Sequence, residues 1–410
     1  MKRRIAFIGD PHLHGPWLDG PEGQRASLRA VAKDIRKQDV DGVLIAGDLT
    51  GHVVPHRSTP EERGALMEFL DAIDRPTIVI RGNHDVPHDH DYLNYLKVAG
   101  GRVIYSETVD FIETDWIRLV TLPWISASQL PSGTAPELAI EGMVREVLLR
   151  KEVKDSFRNF DGPRLVLAHA AFRGGQVRTG QPTTPTADPV LDPKEILRDT
   201  FADCILAGHY HEHQLLPGAG LYGGSLFASQ FGESSEKVWT LVHYESGKEL
   251  TLEDRPVPQP GRLLVDYDPA VEKVLGVEGL PGALESVLEF PMHLRALVEE
   301  MSRWAGSHVK LRVRMAESEV ARLTPRVSEA AARLGREALS VKVEPVIDRE
   351  EKVRTGADDV AKATTLVEKF EAFIQSSGDL ATSGVSHSLV ARAKEILVAV
   401  ERDVDGEEGS

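Results

Sequence analysis

Residues 77–85 have the sequence TIVIRGNHD, and this stretch decides the fold. Four β-prone residues are followed by an arginine and then at once by glycine, asparagine, histidine and aspartate. A short run of this kind predicts a strand that is buried on both faces. We therefore expect a buried strand over residues 77–80, ending in side chains that can bind a metal or a phosphate.

The same pattern occurs four more times in the first half of the chain. Each apolar run precedes a residue that can bind a metal, and the runs cover residues 5–8, 43–46, 165–168 and 204–207. Helical spacing of apolar residues over 24–37 and 61–73 separates the first three strands. Strands that alternate with helices predict an α/β layered core, in which ligands bind beyond the carboxyl ends of the strands.

Composition limits the class of protein. The chain has 410 residues, of which 41% are hydrophobic and 27% charged, as in ordinary globular proteins. Its net charge of −16 argues against a free-standing basic nucleic-acid binder. The single cysteine, Cys204, excludes intramolecular disulfides and multi-cysteine zinc sites. Apolar runs too short for a membrane helix or a signal peptide lead us to expect a cytoplasmic protein without a membrane segment.

Histidines are concentrated in the same half of the chain as the repeated pattern. Of the 15 histidines, 11 precede residue 214. Because imidazole is the commonest metal ligand in proteins, this clustering indicates a site.

Seven residues that follow the strands make a candidate ligand set of carboxylate, imidazole and amide groups. They are Asp10, His12, Asp48, Asn83, His169, His209 and His211. This mixture suits Mn²⁺, Fe²⁺ or Zn²⁺. Seven ligands exceed the need of one ion, and a carboxylate shared by two ions, for which Asp48 is placed, explains the excess. Strand alternation predicts that the two ligands of each Asp-x-His or His-x-His pair point the same way.

These motifs resemble the calcineurin-like metallophosphoesterase superfamily over residues 8–211. The resemblance implies two divalent ions, with Mn²⁺ favoured, at two overlapping ligand sets. One set is Asp10, His12, Asp48 and His211, and the other is Asp48, Asn83, His169 and His209. The resemblance also makes His84 the catalytic histidine facing the scissile phosphate. Asp85 either orients His84 or stabilises the turn.

Further motifs look like the SbcD-type DNA repair nuclease branch of that superfamily. They are Asp10-Pro11-His12-Leu13, Tyr222-Gly223-Gly224-Ser225-Leu226, Phe231-Gly232-Glu233 and Lys237. The branch implies a layered β-sandwich phosphoesterase core flanked by helices, followed by a small α+β capping domain and C-terminal helices. Its members bind DNA, pair with an SbcC-like coiled-coil ATPase and form homodimers. His14 and His52 depart from the branch pattern, and we take both as candidate substrate-binding residues.

The second half of the chain has its own patterns. Residues 309–315 and 339–346 alternate as half-exposed strands, and residues 317–334 between them have helical spacing. Lys310, Arg312 and Arg314 share the polar face of the first strand and are either DNA contacts or its solvated side. Two amphipathic helices over 356–402 pack on their own domain or on a partner. We expect domains at 1–260, 261–348 and 349–402, with an acidic tail at 403–410.

Three functions remain open from the sequence. The first is a dimetal DNA nuclease, exonuclease or endonuclease, acting with an SbcC-like ATPase in DNA repair. The second is a small-molecule or cyclic-nucleotide phosphoesterase. The third is a non-catalytic DNA-tethering subunit, although a complete ligand set argues against a dead site.

Overall fold

The computed structural model describes residues 1–13, 20–50, 57–98, 101–177, 188–228, 231, 236–279, 290–301, 306–348, 365, 367–371 and 392–396. The strands are β1 Lys2–Ile8, β2 Gly42–Ile45, β3 Thr77–Ile80, β4 Lys97–Val98, β5 Gly101–Ser106, β6 Asp110–Glu113, β7 Arg118–Leu122, β8 Arg164–His169, β9 Ala171–Phe172, β10 Val190–Leu191, β11 Cys204–Gly208, β12 Gln214–Leu216, β13 Gly220–Tyr222, β14 Val238–Glu245, β15 Thr251–Pro256, β16 Arg262–Asp268, β17 Lys273–Glu278, β18 Met292–His293, β19 His308–Ala316 and β20 Ser340–Asp348. The helices are α1 Gly20–Lys37, α2 Pro60–Ile73, α3 Pro136–Leu149, α4 Lys151–Asn159, α5 Pro193–Thr200, α6 Leu294–Met301 and α7 Val320–Leu334. Short 3₁₀ helices cover Asp91–Tyr95, Ala127–Gln129 and Glu317–Glu319.

Two sheets pack face to face in the first part of the chain. The first has the strand order β15-β14-β1-β2-β3-β5-β4, and the second has the order β12-β13-β11-β8-β7-β6. Phe7 and Leu44 of the first sheet share one buried cluster with Leu167 and Leu206 of the second. The apolar runs therefore supply the interior of a β-sandwich.

Helices cover the outer face of each sheet. Because side chains alternate along a strand, Ile8 faces away from Phe7 and packs in a cluster with Leu28 of α1 and Leu66 of α2. On the other sheet, Val166 packs in a cluster with residues of α3, α4 and α5. The expected α/β layered core is confirmed, with helices on both sides of a two-sheet sandwich.

The parallel strands bring their carboxyl ends to common edges. In the first sheet β1, β2, β3 and β5 run parallel, and in the second β7, β8, β11 and β13 do so. The predicted metal ligands are His169, the last residue of β8, and residues of the loops that follow β1, β2, β3 and β11. This topology places those ligands at one edge of the sandwich.

Residues 262–348 contribute a separate sheet of order β18-β17-β16-β19-β20. The predicted strands at 309–315 and 339–346 correspond to β19 and β20, and the predicted helix corresponds to a 3₁₀ turn followed by α7. The chain forms two compact units with different bounds. One is Met1–Arg314 with Leu323–Pro345, and the other is Met315–Arg322 with Val346–Ser410. The predicted domain boundaries at 260, 348 and 402 stay predictions.

The C-terminal region is described in two short helical pieces, residues 367–371 and 392–396. Lys394 Nζ lies 2.6 Å from Glu371 Oε1, so the two pieces touch through an ion pair. A capping box formed by Thr365 and Glu368 precedes the first piece. The remainder of 349–402 and the acidic tail lie outside the described residues. Among the helices in the described ranges, none has the length and apolarity needed to cross a membrane.

Candidate metal centre

The seven predicted ligands converge at the edge of the sandwich. Six of them are buried, and Asn83 is half-buried. Donor atoms of Asp10, His12 and His211 lie within 4.8 Å of one another, and so do those of Asp10, Asp48 and His169. Residues up to 201 positions apart in sequence therefore form one cluster, from Asp10 to His211.

Asp48 lies between two groups of donors. Its Oδ2 is 3.5 Å from His12 Nε2 and 3.5 Å from His169 Nε2. On one side, His12 Nε2 lies 3.0 Å from His211 Nε2. On the other, Asn83 Oδ1 lies 2.8 Å from His169 Nε2 and 3.0 Å from His209 Nδ1. This arrangement fits two adjacent ions that share Asp48, while the role of each ligand stays a prediction.

Tight backbone turns bring these side chains together. His12, Asp48 and His209 have φ angles of 44°, 50° and 92°, in the left-handed region that non-glycine residues rarely adopt. Strand alternation is therefore not what makes Asp10 and His12 converge, because β1 ends at Ile8 and the chain turns at His12. Backbone strain of this kind is concentrated at functional sites.

Two glycines allow the loops to approach closely. A Cβ on Gly82 would lie 2.1 Å from Asp48 Oδ1, and one on Gly208 would lie 2.3 Å from Asp10 Oδ1. Any larger residue would collide with a ligand. The glycines of Gly-Asn-His and Gly-His-x-His are thus required by packing at the metal centre.

Hydrogen bonds orient the imidazoles. His169 Nδ1 lies 2.6 Å from the Ala46 carbonyl oxygen and donates to it, which leaves Nε2 to face Asn83 and Asp48. The backbone N–H of His209 donates to both carboxylate oxygens of Asp10 at 3.0 Å. Such outer contacts fix which ring nitrogen can bind a metal.

The electrostatics fit a cation. Burial and the neighbouring Asp48 charge raise the pKa of Asp10 well above its ordinary value. Burial acts to raise the pKa of Asp48 too, but the nearby histidines His169, His12 and His84 outweigh it and lower that pKa. Burial also lowers the pKa of His169, which favours the neutral, metal-binding imidazole. Two buried carboxylates among imidazoles are a donor set that suits a divalent cation.

His84 lies next to two of the predicted ligands, Asp48 and His12, and its catalytic role stays a prediction. Its backbone N–H donates to Asp48 Oδ1 at 2.8 Å, and its ring centroid lies 5.3 Å from that of His12. In the described part of the chain, its buried Nδ1 makes no hydrogen bond. Because this nitrogen is buried beside the predicted metal-binding residues, it can form a hydrogen bond with a substrate that enters the site.

Asp85 contacts the backbone of two neighbouring loops. Its Oδ1 accepts the N–H of Leu49 at 2.9 Å, and its Oδ2 accepts the N–H of Gly82 at 2.8 Å. Both oxygens are thus engaged by backbone amides. These contacts join the loop after β2 to the loop after β3, and the role of Asp85 toward His84 stays a prediction.

Sequence reasoning missed Asp188. Its Oδ2 lies 3.3 Å from His209 Nε2, so it places a carboxylate beside the ring nitrogen that does not face Asn83. A lone aspartate after a Thr- and Pro-rich stretch of sequence has no pattern that marks it. The contact forms only because the fold brings Asp188 next to His209, the residue that follows β11.

Lys237 belongs to the motifs of the nuclease branch, but the sequence assigns it no role. Its buried ammonium donates to the carbonyl oxygen of His211 at 3.3 Å and to Ser225 Oγ at 3.0 Å. It therefore supports a metal ligand from behind, and its charge opposes the rise in the pKa of Asp10. A lysine followed by a β-run of Val-Trp-Thr-Leu was the available signal.

The predicted substrate-binding residues are not all described, and those that are differ in their contacts. His14 and His52 lie outside the described residues. Arg312 forms two hydrogen bonds with Asp266, at 2.5 and 2.7 Å, and Lys310 lies 3.0 Å from Glu344. Arg314 is exposed. Carboxylates thus neutralise two of the three charges on the predicted basic face.

The family follows from the site and from comparison with known proteins. The model of the calcineurin-like phosphoesterase family matches residues 3–213, which is half of the chain and spans all seven candidate ligands. The chain belongs to this family. It is a metal-dependent phosphoesterase hydrolase of the class that uses a dimetal centre. Among curated proteins, none matches the chain significantly.

Solved structures similar to this chain share little sequence with it. A Thermus thermophilus protein, TT1561, has 16% identity and a TM-score of 0.38, covering 63% of this chain and 100% of its own. A dimetal phosphatase from Danio rerio has 12% identity and a TM-score of 0.38, covering 63% and 97%. A Staphylococcus aureus protein, provisionally described as a 5'-nucleotidase, has 13% identity and a TM-score of 0.37. The match covers 63% of this chain and 54% of that protein.

Proposed function

We propose that this protein is a dimetal phosphodiesterase that acts on DNA, the nuclease subunit of an SbcC–SbcD-like repair complex in the cytoplasm. The observation that carries the proposal is Asp48 between two donor groups, with His84 beside them. Seven candidate ligands lie at one edge of the sandwich. Beside them, His84 Nδ1 makes no hydrogen bond within the described residues, and this combination fits phosphodiester hydrolysis.

The ligands would divide between two ions. Asp10, His12 and His211 would hold one, and Asn83, His169 and His209 would hold the other, with Asp48 shared. Two divalent cations, Mn²⁺ in our proposal, would supply charge neutralisation of the phosphate and activation of water. The buried carboxylates of Asp10 and Asp48 and the imidazoles around them can bind such cations directly.

His84 would act on the substrate itself. Its imidazole would donate a hydrogen bond or a proton to an oxygen of the reacting phosphate, a contribution of about 10²–10⁴ in rate. The hydrogen bond from its backbone N–H to Asp48 keeps the ring next to the shared ligand. Asp85 would contribute by holding the loops.

The segments beyond the sandwich favour DNA over a small substrate. The sheet of β16–β20 follows the phosphoesterase core, and two helical pieces in contact follow the sheet. We propose that the sheet supports duplex DNA, with Arg314 as a contact. The helices would dock on an SbcC-like coiled-coil ATPase, with the nuclease as a homodimer. A small substrate has no use for either segment.

A second candidate is a small-molecule or cyclic-nucleotide phosphoesterase. It is favoured by the pairing of Arg312 with Asp266 and of Lys310 with Glu344, which removes positive charge from the face where DNA would bind. The acidic net charge of −16 points the same way. A small phosphodiester would need only the metal centre.

The experiment that separates these functions is digestion of end-labelled DNA. Purified protein is incubated with Mn²⁺ and duplex or single-stranded DNA, and in parallel with bis(p-nitrophenyl) phosphate and cyclic nucleotides. We expect Mn²⁺-dependent DNA cleavage that EDTA abolishes and that His84→Gln greatly reduces. Hydrolysis of the small diesters alone would establish the second candidate. DNA binding without any hydrolysis would establish a tethering subunit.

A further inference from the structure

A buried histidine outside the ligand set lies between two buried carboxylates. His90 is fully buried, and its Nε2 lies 3.5 Å from Asp85 Oδ1 and 4.0 Å from Asp89 Oδ2. Tyr105 packs against the ring nearly at right angles, with centroids 5.8 Å apart. Burying three ionisable groups together costs free energy unless they stabilise one another. The cluster therefore calls for an explanation.

Asp85 connects this cluster to the metal centre. Its two oxygens accept the N–H groups of Leu49 and Gly82, at 2.9 and 2.8 Å. Leu49 directly follows Asp48, and Gly82 directly precedes Asn83. The Asp85 carboxylate thus sets the distance between the loop that carries the shared ligand and the loop that carries Asn83 and His84.

Asp89 connects the same cluster to helix α2. Its Oδ2 accepts the N–H of Ser58 at 2.6 Å, and its Oδ1 lies 2.9 Å from Arg63 Nη2. Ser58 precedes Thr59, the N-cap of α2. Through these contacts the cluster extends from the ligand-bearing loops to the first turns of that helix.

We propose that His90 is a positioning residue for the metal centre. It acts through Asp85, and the inference rests on the proposed dimetal function. The imidazole lies beside the carboxylates of Asp85 and Asp89, and its Nε2 is 3.5 Å from Asp85 Oδ1 although, within the described residues, it lacks the geometry of a hydrogen bond. Held in this way, Asp85 keeps both oxygens on the amides of the two loops. Without the imidazole, the two buried carboxylates would face each other, and Asp85 would shift from the amides.

The test uses variants that separate donation from volume. His90→Gln keeps a donor near the position of Nε2, whereas His90→Leu and His90→Phe remove it and stay large. His243→Leu is the matched control, because His243 is half-exposed and lies at the other end of the first sheet, opposite Arg4. Mn²⁺ affinity and stoichiometry are measured by calorimetry, folding by circular dichroism, and kcat and KM with bis(p-nitrophenyl) phosphate at saturating Mn²⁺.

We expect His90→Leu and His90→Phe to bind Mn²⁺ about 10–100-fold more weakly, the usual effect of losing a group that orients a ligand. Turnover at saturating metal should fall through kcat, with KM unchanged. His90→Gln should recover most of the affinity, and His243→Leu should match the original protein.

Two outcomes would overturn the inference. One is folded His90→Leu or His90→Phe protein that binds Mn²⁺ as tightly as His90→Gln. The other is loss of folding in both donor-free variants while His90→Gln stays folded, which would assign the donor to stability alone. Absence of Mn²⁺ binding in the original protein would instead refute the proposed function.

Discussion

Charged side chains are arranged in opposite ways at the metal centre and on the sheet of β16–β20. At the metal centre, Asp10 and Asp48 are buried together, and burial with mutual repulsion raises the pKa of Asp10. On the sheet, Arg312 is matched by Asp266 and Lys310 by Glu344. The metal centre therefore combines incompletely balanced carboxylate charge with backbone strain. On the sheet, by contrast, Arg312 and Lys310 are paired with carboxylates.

This contrast separates two uses of charge. A site that must attract a cation keeps buried carboxylates whose ion-pair contacts, within the described residues, are with histidines rather than with an ammonium or guanidinium group, although that costs stability. A solvated sheet face forms ion pairs that are worth little individually, about 0–1 kcal/mol. Substitutions should therefore have large functional effects at the metal centre and small effects on the sheet.

The largest effect is expected from Asp48→Asn. This change removes a negative charge from both proposed ions at once, while the side-chain volume is kept. Metal-dependent hydrolysis should drop to the level of the EDTA-treated protein, with Mn²⁺ stoichiometry below two by calorimetry. Asp34→Asn, at a carboxylate of α1 that is bonded to Arg255, is the control and should keep full activity. Two tightly bound ions in Asp48→Asn would contradict the shared-ligand arrangement.

His84→Gln should separate chemistry from metal binding. Because His84 is a proposed proton donor and not a ligand, kcat should fall about 10²–10⁴-fold with Mn²⁺ affinity unchanged. The comparison is made by steady-state kinetics and calorimetry on the same preparation. Near-normal turnover would remove His84 from the mechanism, and lost metal binding would make it a ligand.

Asp188→Leu should have an intermediate effect. The variant removes the carboxylate that lies 3.3 Å from His209 Nε2, so the ring loses its charged neighbour on that side. Mn²⁺ affinity should fall about 10-fold, at the low end for a group that orients a ligand. Asp192→Leu, on the helix N-cap nearby in sequence, controls for a general effect on stability. Equal affinities in both variants would mean that the Asp188 contact is unimportant.

Arg314→Ala and Arg312→Ala should differ in DNA binding. If the sheet contacts phosphates, loss of exposed Arg314 should reduce the slope of log K against log salt by about 1. Loss of Arg312 should change the slope less, because its guanidinium is already bonded to Asp266, which raises its pKa. Fluorescence anisotropy at several salt concentrations measures both. A larger change for Arg312→Ala would reverse the assignment.

The smallest effect concerns Cys204. Burial, with the Asp203 charge, raises the pKa of the Cys204 thiol to about 12. Below that pH the thiol stays protonated, so iodoacetamide at pH 8 should label the native protein very slowly and the unfolded protein readily. Mass spectrometry of timed samples measures this. Rapid labelling of native protein would show that β11 opens locally.

Much of the fold followed from local patterns. The runs of β-prone residues predicted strands β1, β2, β3, β8 and β11, because continuous apolar sequence must be buried on both faces. The alternation over residues 309–315 predicted β19 for the opposite reason, since one face meets water. The glycines and polar residues that end the first set of strands predicted the ligand set.

Other features depended on contacts between distant segments. That Asp85 binds the amides of Leu49 and Gly82, and not the ring of His84, follows from the packing of two loops. The pairing of Arg312 with Asp266 depends on the register of β16 against β19.

The sequence by itself determined which residue types end each strand, and hence the chemistry of the donor set. The tertiary structure alone decided how these donors divide around Asp48 and which groups support them, including Asp188 and His90. The physical reason is the range of the interactions. Burial preference is written into short stretches of sequence, whereas backbone turns at His12 and His209 and ion pairs across loops arise only when the sheets pack together.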